Sequence, residues 1–208
     1  MSNSSFKNDI LFYQRFLKCC GFYTDTLDGI WGPNTAKADT AFQTATQAIA
    51  TQYGLFDTRS EENIATLLPK AQEKARLFLS AAKAYTYTVR IISGTRTYAE
   101  EDALYKQGRF GDNPANRVTN AQGGQSNHNF GIAWDVGIFL PGGDYDTGEN
   151  NHDANYIALG KLVLPKMQGI EWGGNWHSIV DNPHYQLTSV SDDISVVRNL
   201  FESGQPYV

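Results

Sequence analysis

The chain has 208 residues, of which 41% are hydrophobic and 12% are aromatic. This length suits one globular domain, or a small module followed by a larger one. No apolar run reaches the roughly 18 to 20 residues that span a bilayer, so membrane insertion is not expected. The formal net charge of -5 gives no electrostatic reason to expect nucleic acid or an anionic membrane as a partner. We expect a monomer.

The N-terminal stretch MSNSSFKNDILFYQRF shows no secretory signal. It lacks a basic start, an apolar run and a small-residue cleavage site, which predicts synthesis in the cytoplasm and export, if any, by another route. The adjacent Cys19 and Cys20 suit neither a mutual disulfide nor a spaced zinc site. We expect reduced thiols, with Cys20 packed in a helix.

The first third of the chain has helical periodicity that a turn-rich loop interrupts. Apolar residues recur at helical spacing from Ile10 to Cys20, and the run CGFYTDTLDGIWGPNT then breaks the pattern. A second helix is predicted after a cap at Asn34 or Thr35, and a third short helix is predicted to begin near Ser60.

The segment from Tyr13 to Gln43 carries a distinctive order of motifs. A helix is followed by Gly-Phe-Tyr, Asp-Gly-Ile-Trp-Gly, a threonine and a Phe-Gln pair. This order resembles the three-helix peptidoglycan-binding module found at the ends of many cell-wall hydrolases. The resemblance implies such a module at residues 1–68, in which Tyr23 and Trp31 would stack against sugar faces. The alternative is that Trp31 plugs a small core.

The pattern becomes mixed from Pro69 onward. A helix with a regular apolar face begins there, and the alternating run YTYTVRIISGT predicts a strand that ends at Gly94. Thr97 and Glu100 have the spacing of a capping box, so the next helix should begin directly after Thr97. Arg96 is thereby placed at a corner between a strand and a helix.

The run GGQSNHNFGIAWDVGIF places His128 seven residues before Asp135. It predicts a loop followed by a strand in which Asp135 shares a face with Ala133 and Gly137. Those small neighbours leave room for a ligand beside the carboxylate. The spacing suits neither a zinc finger nor a helical histidine pair, but it fits two ligands on a strand edge with a third from another strand.

Two further segments have simpler interpretations. The acidic run PGGDYDTGENNHDANY lacks the glycine and glutamate positions of an EF-hand, so it is predicted to be a solvated loop with no metal on His152. A last helix, capped by the run from Ser191 to Asp193, is predicted to end before Gly204.

The chain has four histidines, and two of them could join Asp135 in a ligand set. A catalytic zinc takes three protein ligands from His, Asp or Glu and keeps a fourth position for water. His128, Asp135 and His184 satisfy that count. The alternative is that each histidine is a core or surface residue whose hydrogen bonds are satisfied without a metal.

Three motifs between Val89 and Leu187 occur in an order typical of one enzyme family. They are SGTRTYAEEDALYKQGR, SNHNFGIAWD and the WGGNW to DNPH region. Together they resemble the zinc D-Ala-D-Ala carboxypeptidase and L-alanyl-D-glutamate endopeptidase family, peptidase family M15. The resemblance implies an α+β catalytic domain with a small antiparallel sheet over residues 69–208.

The resemblance also implies roles for single residues. His128, Asp135 and His184 would bind Zn2+, Asp181 would be the general base, and Arg96 would face the scissile carbonyl. The bound zinc lowers the pKa of its water to about 7 and polarises the amide. The group would hydrolyse an amide without a covalent intermediate.

Several candidates have a second interpretation. Arg96 could be a surface ion-pair partner, and Asp181 could only begin the turn before Pro183. Glu171 is a rival base. Ser126 either hydrogen-bonds substrate or holds its own loop.

The aromatic residues near the last motif are also ambiguous. Trp172 and Trp176 either contact substrate or pack the floor and wall of the cleft, and His177 lies either beside the metal ligands or on the surface. Glu101 stands where the family usually has glutamine, a change that affects local hydrogen bonding.

The predicted function is hydrolysis of bacterial peptidoglycan. The residues of the motifs resemble the endopeptidase branch more closely, which implies cleavage between L-Ala and D-Glu. A D,D- or L,D-carboxypeptidase is the alternative. Without a signal peptide, the enzyme fits a phage endolysin released through a holin-made hole, or an antibacterial effector delivered by a secretion machine. Both would act in the periplasm or wall. A wall-binding protein without activity is the alternative from another class.

Overall fold

The computed structural model describes residues 4–147, 153–177 and 179–208. Over these ranges the chain forms helices and strands in a mixed order, as predicted. No helix in the described ranges combines the length and apolar character needed to cross a bilayer. In chain order the elements are α1 (Ser4–Asn8), α2 (Ile10–Cys19), α3 (Pro33–Tyr53), α4 (Thr58–Ile64), α5 (Pro69–Ala82), β1 (Thr88–Ser93), α6 (Tyr98–Lys106), β2 (Ala133–Phe139), α7 (Asp153–Val163), β3 (Ile170–Trp172), β4 (His184–Leu187) and α8 (Ile194–Ser203).

The four strands form one antiparallel sheet in the order β1-β2-β4-β3. In the pairing of β2 with β4, Asp135 lies directly opposite His184. In the pairing of β3 with β4, Glu171 lies opposite Gln186. The predicted α+β fold with a small antiparallel sheet is therefore confirmed, and the third candidate ligand does come from another strand.

The sheet belongs to the first of two compact units, which comprises residues 44–94 and 133–188. Within it, α4 packs against β1 and α5 packs against α7. The ring of Tyr185 lies 4.5 Å from that of Phe78 and stacks on Trp134 at 6.4 Å. These buried rings form an aromatic core that packs against one face of the central strands.

The second compact unit comprises residues 2–43, 95–132 and 189–208. In this unit α2 packs against α8, and the ring of Phe12 lies 5.0 Å from that of Phe201. Helix α2 thus shares a core with a helix that comes much later in the chain.

The boundary expected at residue 68 lies inside the first compact unit. The division into residues 1–68 and 69–208 stays a prediction. Whether residues 1–68 bind peptidoglycan also stays a prediction.

Helix α3 begins at Pro33, and the predicted cap at Asn34 or Thr35 is wrong. Proline is favoured at the first helical position because its φ angle is already helical and its missing N–H would have no partner there. Thr35 is buried instead, and its hydroxyl accepts a hydrogen bond of 3.1 Å from Gln14. The same amide donates to Asp28 at 2.8 Å, so Gln14 closes the turn-rich loop.

The predicted starts of two later helices are confirmed. Thr97 caps α6 with both hydrogen bonds of a capping box shared with Glu100, and the side chain of Asp193 caps α8. The acidic run differs from prediction because its last part is helical: α7 begins at Asp153, whose charge favours the first turn of a helix. His152 lies outside the described residues.

The two cysteines are free thiols, as predicted. Helix α2 ends at Cys19, so the prediction that Cys20 lies within the helix is wrong by one residue. Gly21 follows with a φ of 80°, a left-handed conformation that ends helices. Burial raises the pKa of the Cys19 thiol to about 12, which keeps it protonated at neutral pH.

A buried ion pair joins α4 to α5. The Arg76 side chain is 1% exposed, and its two terminal nitrogens each lie 2.7 Å from a carboxylate oxygen of Glu61. The guanidinium also donates to the Gly54 carbonyl at 2.7 Å. The positive charge of the buried Arg76 guanidinium is therefore balanced by the carboxylate of Glu61.

Replacing Glu61 with alanine should leave the guanidinium buried without its countercharge. We expect Glu61→Ala to lower the free energy of unfolding by about 3 kcal/mol or more in urea denaturation. The matched control, Arg59→Ala on the exposed side of the same helix, should change it by less than about 0.5 kcal/mol. Equal small effects in both variants would contradict the importance given to the buried pair.

Candidate metal centre

Three metal-capable side chains lie together: His128, Asp135 and His184. One ligand atom from each lies within 4.8 Å of the others. Both histidines are buried, whereas Asp135 is half-buried. The ligand set predicted from the sequence is thus brought together in space.

The contact between Asp135 and His184 favours a cation. Nδ1 of His184 lies 3.2 Å from Oδ1 of Asp135. Two electron-rich atoms repel at this distance unless a proton or a metal ion lies near both. Ligand atoms about 2.0–2.1 Å from a tetrahedral zinc are separated by about 3.3–3.4 Å, which is close to the separation of this pair of atoms. Two imidazoles and a carboxylate are also a donor set that zinc accepts.

The electrostatics of His184 agree with this interpretation. Burial alone would lower its pKa, but the hydrogen bond and charge of Asp135 outweigh burial, so the pKa is raised. Gln186 and the charge of Asp181 contribute in the same direction. A field that favours positive charge on this imidazole also favours a cation beside it.

The far nitrogen of His184 is held by a second pair of residues. Its Nε2 lies 3.0 Å from Oε1 of Gln186, and the Gln186 amide donates to Glu171 at 2.9 Å. Glu171 is the alternative base, and Gln186 is a residue that the sequence motifs do not indicate. The strand HYQL could have indicated Gln186, because residues two apart share one face of a strand and Gln186 follows His184 by two residues.

The turn that carries Asp181 packs closely against Gly173. The Asp181 N–H donates to the Gly173 carbonyl at 3.1 Å, and the His184 N–H donates to the Asp181 carbonyl at 3.2 Å. A Cβ atom at Gly173 would lie 2.5 Å from the Asp181 carbonyl oxygen, so this approach requires glycine. Asp181 does begin the turn, and the turn also holds its charge close to His184.

A cavity of about 250 Å³ opens beside Asp181. Its walls include Tyr145 and Tyr156, and its charged groups are the carboxylates of Asp153 and Asp181. The cavity therefore combines aromatic surface with negative charge next to the candidate base.

The segment that carries His128 is hydrogen-bonded to the strand-to-helix corner that contains Arg96. The Arg96 N–H donates to the His128 carbonyl at 3.1 Å, and the buried Asn129 amide donates to the Arg96 carbonyl at 2.9 Å. Asn129 also accepts from the Gly124 N–H at 2.8 Å. The Ser126 hydroxyl accepts from the His128 N–H at 3.3 Å, which favours a role in holding the loop.

The Arg96 guanidinium pairs with a buried carboxylate. Its Nε lies 2.7 Å from Glu101, whose side chain is 0% exposed. The Thr119 hydroxyl donates to the other Glu101 oxygen at 3.0 Å. Arg96 is thus an ion-pair partner, but the pair is fixed by burial rather than lying on the surface.

The residues of the WGGNWH run have different environments. Trp172 is buried, and its indole N–H donates to the Asn182 carbonyl at 2.7 Å. Trp176 is half-buried, with its ring centroid 5.0 Å from that of His184. Both positions favour packing of the site over contact with sugar. His177 is exposed.

The two aromatic candidates of the N-terminal segment also differ. Tyr23 is buried, and its hydroxyl donates to the Thr26 carbonyl at 2.7 Å. Trp31 is 41% exposed and stacks on Tyr13 with ring centroids 6.1 Å apart. The exposure of Trp31 favours a contact surface over a core plug, whereas Tyr23 is held within the fold.

Comparison with family models gives two matches. A model of peptidase family M15, described as D-alanyl-D-alanine carboxypeptidase, matches residues 119–187. The VanY model, with the same description, matches residues 64–151. The three candidate metal ligands lie within the first match.

Comparison with individual proteins gives similar relatives. The peptidoglycan L-alanyl-D-glutamate endopeptidase CwlK of Bacillus subtilis (strain 168) is 35% identical over 127 residues, which are 58% of this chain and 73% of CwlK. The crystal structure of the L-Ala D-Glu endopeptidase ChiX of Serratia marcescens is 26% identical, with 64% of this chain and 89% of ChiX covered and a TM-score of 0.44. The identity to CwlK over most of its length shows that this chain belongs to peptidase family M15.

Proposed function

We propose that this protein is a zinc-dependent peptidoglycan hydrolase that cleaves the amide bond between L-Ala and D-Glu of the stem peptide. The observation that carries the proposal is the approach of His128, Asp135 and His184 within 4.8 Å. The 35% identity to an L-alanyl-D-glutamate endopeptidase supports the choice of bond. Release of D-Ala by a carboxypeptidase is the second candidate, favoured by the description of both matching family models.

The three clustered side chains would hold the zinc ion. His128 and His184 would contribute imidazole nitrogens and Asp135 would contribute a carboxylate oxygen, which is the three-ligand set typical of a catalytic zinc site. When bound there, the ion supplies a Lewis acid and lowers the pKa of a water molecule to about 7.

Asp181 is the proposed general base. It stands three residues before His184, borders the cavity of about 250 Å³ and keeps its carboxylate half-buried. A carboxylate in this place takes a proton from the attacking water and passes it to the leaving amine. Glu171 is the weaker candidate because its carboxylate accepts a hydrogen bond from Gln186.

Arg96 is proposed to stabilise negative charge on the carbonyl oxygen. Its backbone is hydrogen-bonded to His128 and Asn129, and its guanidinium is paired with Glu101. A positive group held in this way loses little energy to reorganisation as the oxyanion develops.

Bacterial peptidoglycan is the proposed partner of the whole chain. The N-terminal residues 1–68, with the exposed ring of Trp31, would bind the wall and raise the local concentration of the catalytic part. The protein would act as a monomer in the periplasm or wall. Its proposed role is that of a phage endolysin released through a holin-made hole, and delivery by a secretion machine as an antibacterial effector is the other route.

Mass spectrometry of fragments released from purified peptidoglycan tests the proposed bond. We expect new D-Glu amino termini and L-Ala carboxyl ends, with release abolished by EDTA and restored by zinc. Asp181→Asn should lower the rate by about 100-fold or more because the proton acceptor is lost. His128→Ala should abolish release, whereas His177→Ala, an exposed histidine, serves as the matched control with wild-type activity.

Two results would contradict the proposal in different ways. Release of D-Ala in place of these fragments would assign the protein to the carboxypeptidases. Absence of cleavage by folded, zinc-loaded protein that still binds the wall would leave a wall-binding protein without activity.

Glu101 offers a test of how Arg96 is held. Glutamine at this position can accept from Arg96 and donate to Thr119, so Glu101→Gln should keep most of kcat/KM. Glu101→Leu removes both hydrogen bonds, and the resulting misplacement of Arg96 should lower kcat/KM by up to about 100-fold. Steady-state kinetics on a soluble stem peptide measures both. An equal loss in the two variants would show that the charge of Glu101, and not its hydrogen bonding, positions Arg96.

A further inference from the structure

We propose that Gln186 and Glu171 are positioning residues that set the tautomer of His184, so that its Nδ1 is presented without a proton to a metal ion. The inference rests on the proposed zinc site. It assigns to Glu171 a role other than that of a rival base, and it gives Gln186 a role beyond its place in the sheet.

The three residues form one hydrogen-bonded row across two paired strands. Glu171 on β3 and Gln186 on β4 are direct cross-strand partners, and His184 lies two residues before Gln186 on the same face. His184 and Gln186 are each only 6% exposed. The amide of Gln186 therefore lies between the carboxylate and the imidazole, shielded from competing water.

The direction of every hydrogen bond in the row follows from the carboxylate. A carboxylate ion can only accept, so Gln186 must turn its amide nitrogen toward Glu171, at 2.9 Å. This leaves the amide oxygen facing Nε2 of His184, at 3.0 Å. An amide oxygen also only accepts, so Nε2 must carry the proton.

The tautomer decides which nitrogen can bind a metal. A neutral imidazole with its proton on Nε2 has its lone pair on Nδ1, and Nδ1 is the atom that lies 3.2 Å from Asp135. The ring of Trp176, 5.0 Å from the His184 ring, restricts rotation of the imidazole. The row thus holds both the proton and the orientation of this ligand.

The alternative is that Gln186 and Glu171 only stabilise the sheet. A polar cross-strand pair contributes modestly to stability, whichever way its hydrogen bonds run. Such a pair would not alter metal affinity. Loss of a group that orients a metal-binding histidine typically costs about 10–100-fold in metal affinity. Zinc affinity therefore separates the two roles.

The experiment measures the zinc dissociation constant of the full chain by competition with a chelator, together with urea denaturation of the metal-free protein. Gln186→Met keeps the length of the side chain but removes the acceptor, and we expect it to weaken zinc binding by about 10–100-fold. Gln168→Met, an exposed glutamine, is the matched control and should bind zinc like the wild type.

A charge exchange provides the conservative rescue. Gln186→Glu alone sets two carboxylates side by side and should weaken zinc binding. In the double variant Glu171→Gln, Gln186→Glu, the amide introduced at position 171 donates to the carboxylate introduced at position 186, which can still accept from Nε2 of His184. We expect the double variant to recover most of the wild-type affinity.

The tautomer itself is visible in proton–nitrogen NMR spectra of the zinc-loaded protein. We expect a proton bonded to Nε2 of His184 in the wild type and the double variant. A proton on Nδ1, or an unchanged zinc affinity in Gln186→Met, would overturn the inference while leaving the zinc site intact. Failure of the wild type to bind zinc would instead overturn the proposed metal site and this inference with it.

Discussion

The antiparallel pairing of β2 with β4 is the constraint on which the site depends. It sets Asp135 opposite His184, with the two side chains 3.2 Å apart. Because alternate residues of a strand face opposite sides, a slip of one residue would turn one of these groups away from the other. The same pairing determines where Asp181 and Gln186 lie, since they precede and follow His184 by three and two residues.

This arrangement has an energetic cost that a bound cation would remove. A buried imidazole lone pair and a carboxylate repel each other, and burial opposes charge on either group. Burial lowers the pKa of His184, but the hydrogen bond and the charge of Asp135 raise it, and the net direction is upward. A divalent ion bound by all three ligand atoms would relieve the repulsion more completely. The aromatic core around Tyr185 and the close approach at Gly173 keep the groups in place.

Local chemistry made part of this structure predictable from the sequence. The capping box of Thr97 and Glu100 and the alternation around Asp135 act over a few residues, so their patterns could be identified directly. The packing of helix α2 against the last helix could not be identified, because the contact of Phe12 with Phe201 joins residues that no short-range pattern relates. Gln186 was predictable only in part. Its place on the same strand face as His184 follows from the sequence, but its pairing with Glu171 depends on the register of the sheet.

X-ray absorption spectroscopy at the zinc edge, on protein loaded with one equivalent of zinc, tests the central claim most directly. The account predicts tight binding and a four-coordinate shell of nitrogen and oxygen atoms at about 2.0–2.1 Å, including two imidazoles. One imidazole contribution should disappear in His128→Ala. A shell that contains sulfur would place the ion at Cys19 or Cys20. That result, or the absence of tight binding, would contradict the assignment of His128, Asp135 and His184 as the metal centre.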